Sequence, residues 1–167
     1  ADFVACHNQA YVHQYNLLKG LKKNGIFVLN CIWNDEDLQT HLPAAMKRYI
    51  ADNEIHFYTI NASDIALKLG LGNRINMIMQ SAFFKLAKVI PVEDAINFLK
   101  ESIIEAYGSK GNSIITKNQA AVDEGAHSLH LVHVPAAWAD AEDSDGMVTE
   151  KPEFITEVLI PMNRQEG

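Results

Sequence analysis

Apolar and polar positions alternate in two regimes along the chain. Up to Gly70, short apolar runs are separated by segments of helical spacing. Asp2-Phe-Val-Ala-Cys-His7 reads as a buried strand, with Asn8 as an N-cap and a helical pattern through Tyr11, Tyr15 and Leu18 that stops at Asn24-Gly25. Ile26 to Ile32 is a second strand. Leu42, Ala45, Met46, Tyr49 and Ile50 mark a second helix, with Pro43 near its first turn, where a missing N–H is tolerated. Ile55 to Ile60 is a third strand, and Ile65, Ala66 and Leu69 mark a short third helix closed by Gly70. Parallel pairing through right-handed crossovers is the economical way to bury such strands on both faces.

After Gly72 the period becomes helical throughout. Ile75, Ile78, Met79, Ala82, Phe83, Leu86 and Ile90 recur at helical spacing, and the stripe ends before Pro91, because a residue preceding proline avoids the helical region. Val92, Ala95, Ile96, Leu99 and Ile103 define the next helix, with Glu93 and Asp94 in the first turn and Tyr107-Gly108 at its end. Ile114 to Leu131 holds one more, around Ala120, Val122, Ala126 and Leu129. Beyond Val134-Pro135 the order weakens: residues 139–153 read as a surface linker, and Phe154 to Met162 is apolar enough to dock elsewhere. The expected fold class is α/β, a Rossmann-like parallel sheet with flanking helices, followed by a helical segment and an acidic linker.

Composition narrows the class without changing this picture. The chain has 167 residues, 48% hydrophobic and 21% charged, with two cysteines. That is one globular domain or a little more, and it excludes collagen-like, disordered and disulfide-scaffold proteins. No apolar run approaches the ~20 residues of a bilayer crossing, so a soluble protein is expected, with no membrane as partner. The chain opens on Ala and enters a strand at once, without the basic flank or cleavage site of a signal peptide, and reads as an excised piece. The net charge of -7 is uneven: residues 1–135 carry 12 basic and 13 acidic groups, residues 136–153 one basic and six acidic. A near-neutral body lacks the cationic stripe that would release counterions from a phosphate backbone, so nucleic acid is not an expected partner.

Ligands of open parallel sheets sit outside the carboxyl ends of the strands. Here those ends carry His7-Asn8, Trp33-Asn34, and Thr59 with Asn61-Ala-Ser63. Such residues either line a polar rim or simply cap the helices that follow. Gly70-Leu-Gly72-Asn73-Arg74 places two glycines and a guanidinium before a helix start, which suits an anion, although it is neither a dinucleotide fingerprint nor a P-loop. Gly70 as a plain helix stop is the competing reading.

Other combinations are poor candidates. Cys6 and Cys31 lie in strands without metal-ligand spacing and read as buried thiols. His127, His130 and His133 repeat every three residues along one expected helix face, without acidic companions, so no metal site is expected there. Asp143-Ser-Asp145-Gly146 has its glycine two residues too early for a calcium loop. No nucleophile elbow, catalytic triad or paired carboxylates are present, and no catalytic residue is assigned.

Several segments together match a known family. Asp2-Phe-Val-Ala-Cys-His-Asn8, Phe27-Val-Leu-Asn30 with Trp33, Lys47-Arg-Tyr-Ile-Ala51, Phe57-Tyr-Thr-Ile-Asn-Ala62 and above all Gly70-Leu-Gly-Asn-Arg-Ile-Asn-Met-Ile-Met-Gln80 resemble pyruvate:ferredoxin (flavodoxin) oxidoreductase. The likeness continues through Val89-Ile-Pro91, Tyr107-Gly108 and Val134-Pro135 to Trp138, and corresponds to the C-terminal two thirds of the family's gamma domain. It implies a partial gamma domain over residues 1–138 and, over residues 139–167, a linker toward the iron-sulfur region.

The resemblance also implies a large cytoplasmic enzyme, a homodimer, that oxidatively decarboxylates pyruvate with CoA to acetyl-CoA and CO2 and reduces ferredoxin or flavodoxin. Thiamine diphosphate, Mg2+ and [4Fe-4S] clusters would be held by other domains of the same polypeptide. Within this chain the resemblance assigns CoA contacts to Asn73, Arg74 and Asn76, and a packing role to the rest. The alternative is a non-catalytic structural module, as in a sulfite reductase flavoprotein, or an NADP-linked pyruvate oxidoreductase.

Overall fold

The apolar runs near the start of the chain form the strands β1 (Phe3–Cys6), β2 (Ile26–Asn30) and β3 (His56–Ile60). They lie parallel in that order, with Phe3 opposite Ile26 and Ile26 opposite His56. A fourth strand, β4 (His130–Leu131), joins β3 antiparallel, pairing Thr59 with His130. The structure, a computed structural model, describes residues 1–14 and 16–142. The acidic linker beyond Glu142, the Asp143–Gly146 loop and the apolar stretch from Phe154 lie outside the described residues.

Two units are distinguished. Among the described residues, the first comprises residues up to 60 together with 130–142; the second is Asn61–Leu129. In the first unit the core gathers Val4, Cys6, Phe27, Leu29 and Phe57 from the sheet. The helices α1 (Asp35–His41) and α2 (Ala44–Asp52) add Leu38, Met46 and Ile50. Phe27 and Phe57 are register partners and stack with ring centroids 5.2 Å apart. Trp138, in a 3-10 turn over Ala136–Asp140, packs against Phe57 at 6.4 Å and lies under the Lys47 ammonium at 6.0 Å. The chain past Val134 is therefore ordered through Asp140, where the sequence pattern weakens, because a buried indole and an Arg48 hydrogen bond to the Ala141 carbonyl hold it down.

Three expectations are corrected here. The helix expected between Asn8 and Asn24 is only a 3-10 turn over Gln9–His13. Gly20 at φ 88° and Asn24 at φ 67° break any continuous helix, while hydrogen bonds between Ala1 and both Gly20 and Lys22 pin the segment beside β1. The helix α1 is additional to the expected one beginning near Leu42. His130 and Leu131 belong to β4 and not to the end of a helix.

In the second unit, α3 (Ala62–Lys68) leads through a glycine turn into α4 (Asn76–Ala87), α5 (Val92–Tyr107) and α6 (Asn112–His127). Leu99, Ile103 and Val122 centre a core bordered by Met77, Phe84, Ile96 and Ile115. Helix α4 stops before the expected boundary because Lys88 turns left-handed at φ 56°.

Candidate functional site

At the carboxyl ends of the strands the polar side chains are engaged with their own backbone. Asn8 accepts from the Ala10 amide at 2.9 Å, Asn34 from Asp37 at 2.8 Å, and Asn61 from Asp64 at 3.1 Å. Asp37 returns the interaction to the Asn34 amide, completing a capping box at the start of α1. Of the two readings of these asparagines, capping is the one the structure shows. Gln9 likewise spends its carbonyl on the Ile32 amide at 2.9 Å, and the Asn30 amide donates to the His7 carbonyl at 3.0 Å.

The thiols are inert. Burial pushes Cys6 up to about 11, against the opposing effect of a hydrogen bond to the Asn8 carbonyl, and burial does the same for Cys31. Neither ionises near neutrality, so neither is a ready nucleophile or ligand. Burial also lowers the His7 pKa, keeping its imidazole neutral. The three histidines at three-residue spacing do not share a face: His127 ends α6 and bonds the Asp123 carbonyl, whereas His130 lies in β4 and holds Asp35 at 2.8 Å. Among the described residues no group of three His, Cys, Asp or Glu side chains is placed to hold a metal ion.

The turn between α3 and α4 first of all ends α3: the Gly70 and Leu71 amides close onto the Leu67 and Ala66 carbonyls, the helix stop that is the competing reading of Gly70. Gly70 at φ 82° and Gly72 at φ 65° both require the left-handed conformation that glycine adopts without strain. Around them the amides of Gly70, Leu71 and Arg74 are committed to Leu67, Ala66 and Leu71 carbonyls. The Arg74 Nε donates to the Leu71 carbonyl at 3.0 Å, which fixes the guanidinium on the turn by one nitrogen and leaves its terminal amino groups available. Asn73, Arg74 and Asn76 are all exposed, and Asn76 begins α4, whose first turn has no side-chain cap. The three residues proposed from sequence thus lie within one short stretch at a helix start, where free N–H groups and the dipole favour negative charge.

One neighbour of the turn is remote from it in sequence. A Cβ built on Gly70 would lie 3.2 Å from the Nζ of Lys117, which stands on α6. Nothing local to Lys117 announces this approach, since it arises only when α6 folds back beside the turn.

The fold defines an α/β domain whose helical unit carries a glycine turn with an exposed arginine. Residues 1–128 match the family model of pyruvate ferredoxin/flavodoxin oxidoreductase, and the chain belongs to that family. It is 55% identical over 167 residues to a pyruvate-flavodoxin oxidoreductase of Enterobacter agglomerans, covering 100% of this chain and 14% of the relative. It is 52% identical over 168 residues to the pyruvate:ferredoxin oxidoreductase of Moorella thermoacetica, with the same coverage of 100% and 14%. The chain therefore spans about 14% of the length of these curated relatives.

Two solved structures share the fold. A pyruvate oxidoreductase subunit of Thermotoga maritima superposes with a TM-score of 0.59 at 17% identity, over 77% of this chain and 63% of the subunit. The 2-oxoglutarate:ferredoxin oxidoreductase of Magnetococcus marinus, solved with 2-oxoglutarate, coenzyme A and succinyl-CoA bound, superposes with a TM-score of 0.50 at 20% identity. That match covers 91% of this chain and 22% of the other.

Proposed function

We propose that the complete polypeptide oxidatively decarboxylates pyruvate with CoA, releasing acetyl-CoA and CO2 and passing two electrons to ferredoxin or flavodoxin. We assign it to the cytoplasm, as a homodimer. The observation that carries this reading is identity above half, sustained along the whole chain, with enzymes of that activity. Residues 1–138 form a partial gamma domain in this reading, and residues 139–167 lead toward the cluster-binding region.

This chain's own part is binding and packing. A [4Fe-4S] cluster needs four cysteine thiolates, and this chain has two cysteines, both buried and resistant to ionisation. The cluster does not fit these residues, and thiamine diphosphate with its Mg2+ is assigned to other domains. CoA, by contrast, suits the Gly70–Asn76 turn: a phosphate meets the Arg74 guanidinium, unpaired amides and the start of α4, with Asn73 and Asn76 as neutral donors.

Steady-state kinetics of the complete enzyme test this. Arg74→Ala raises the KM for CoA by about tenfold, the expected loss of a charge-assisted hydrogen bond, while decarboxylation of pyruvate is largely retained. An unchanged CoA dependence refutes the assignment.

A further inference from the structure

We propose that Lys117 is a second cationic contact at the Gly70–Arg74 turn and binds a phosphate group of the same ligand. The inference rests on the assignment of CoA to that turn and extends it to a residue remote in sequence.

Three half-buried lysines belong to the second unit, and two have evident partners. Lys85 donates to the Ala126 carbonyl at 3.1 Å, and Lys100 pairs with Asp123 at 2.9 Å. Lys117, equally half-buried, has no hydrogen-bond acceptor or carboxylate among the described residues. An anion at the turn would give this ammonium the partner it lacks.

Its position is specific. The Nζ, Cε and Cδ of Lys117 lie 3.2, 3.3 and 3.7 Å from where a Cβ of Gly70 would stand, so the outer half of the side chain runs along the bare glycine. Glycine at this position therefore serves two needs, the left-handed φ and the approach of the lysine. On the same turn, Arg74 is anchored through Nε to the carbonyl of the buried Leu71. Its terminal amino groups and the amides of Gly72 and Asn73 have no partner among the described residues. Two cations and two unpartnered amides on or beside one glycine turn are donors of the type a phosphate ester takes, with its several acceptor oxygens and up to two negative charges. CoA offers a 3′-phosphate and a pyrophosphate, and both share this chemistry.

Equilibrium binding of CoA and of dephospho-CoA to the complete enzyme, with steady-state kinetics alongside, tests the proposal. Lys117→Met is expected to weaken CoA binding about tenfold with little change in kcat, and Lys117→Arg to recover most of the loss. If both cations hold one phosphate, the double variant with Arg74→Ala loses less than the product of the single effects. A Lys117 effect that disappears with dephospho-CoA assigns the contact to the 3′-phosphate; one that persists assigns it to the pyrophosphate. Unchanged CoA binding in Lys117→Met beside weakened binding in Arg74→Ala overturns this inference and leaves the assignment of CoA to the turn intact. If neither variant affects CoA, both readings fall together.

Discussion

Gly125 shows how a single missing carbon sets the spacing of two helices. It lies in the last turn of α6, where alanine would still be the better helix former. A Cβ there would stand 2.3 Å from the Ile78 carbonyl oxygen and 2.9 Å from the Ser81 Cβ, both on α4. Neither is the end of a flexible side chain that could swing aside, so the helices must part. The Ser81 hydroxyl, which donates to the Val122 carbonyl across the same contact, would be lost with them. Packing outweighs propensity here, and Gly125→Ala is expected to destabilise by about 3 kcal/mol, read as a lower urea midpoint. A neutral or stabilising result would mean that α4 and α6 do not approach this closely.

The secondary-structure elements differ in how they are held, and this decides which of them the sequence reveals. Strand β4 is two exposed residues tethered by contacts made elsewhere: the Asp35 carboxylate takes the His130 imidazole at 2.8 Å and the His133 amide at 3.3 Å, and Val132 donates to the Phe57 carbonyl. Asp35→Ala is expected to cost under about 1 kcal/mol globally, because the pair is substantially solvated. Amide exchange at residues 130–133 should nevertheless quicken markedly, and unchanged protection would show that the carboxylate does not hold the strand.

No local pattern announces such an element, whereas β1, β2 and β3 are legible because their apolar runs are buried on both faces. Helix α1 hides for a related reason: Asp35–His41 buries only Leu38, so it has no apolar stripe, and its one local mark is the Asn34–Asp37 capping box. The segment after Asn8 errs the other way. Leu17, Leu18 and Leu21 are spaced as a helix face and all are buried, but Gly20 and Asn24 in left-handed geometry deliver them to the core from turns. The glycine turn and Arg74 could be read directly because they are contiguous, while Lys117 joins them only through the tertiary path of α6.

At the scale of the whole molecule, His7 adds a pH dependence to stability on the acid side. Burial lowers its folded pKa below the ordinary 6.5, so the unfolded chain takes up the proton first as the pH falls. Its contribution is fully present above 6.5 and is lost progressively from there down to the folded pKa. Melting temperatures measured across this range should fall with acidification, and His7→Gln should flatten that part of the slope; an identical slope in the variant would remove His7 as the cause.

The first unit is also discontinuous: residues 61–129 lie between its sheet strands β1 to β3 and the segment carrying β4 and Trp138. During synthesis from the N-terminus, β3 therefore leaves the ribosome well before its antiparallel neighbour exists. At translation speeds of about 5–20 residues per second, the interval lasts on the order of several seconds. Throughout it, the β3 edge and the Phe57 ring lack their final cover. The intervening helices can fold in that time, so the nascent chain must keep an open strand from pairing wrongly until the last turn arrives, a window in which chaperone binding would have its greatest effect.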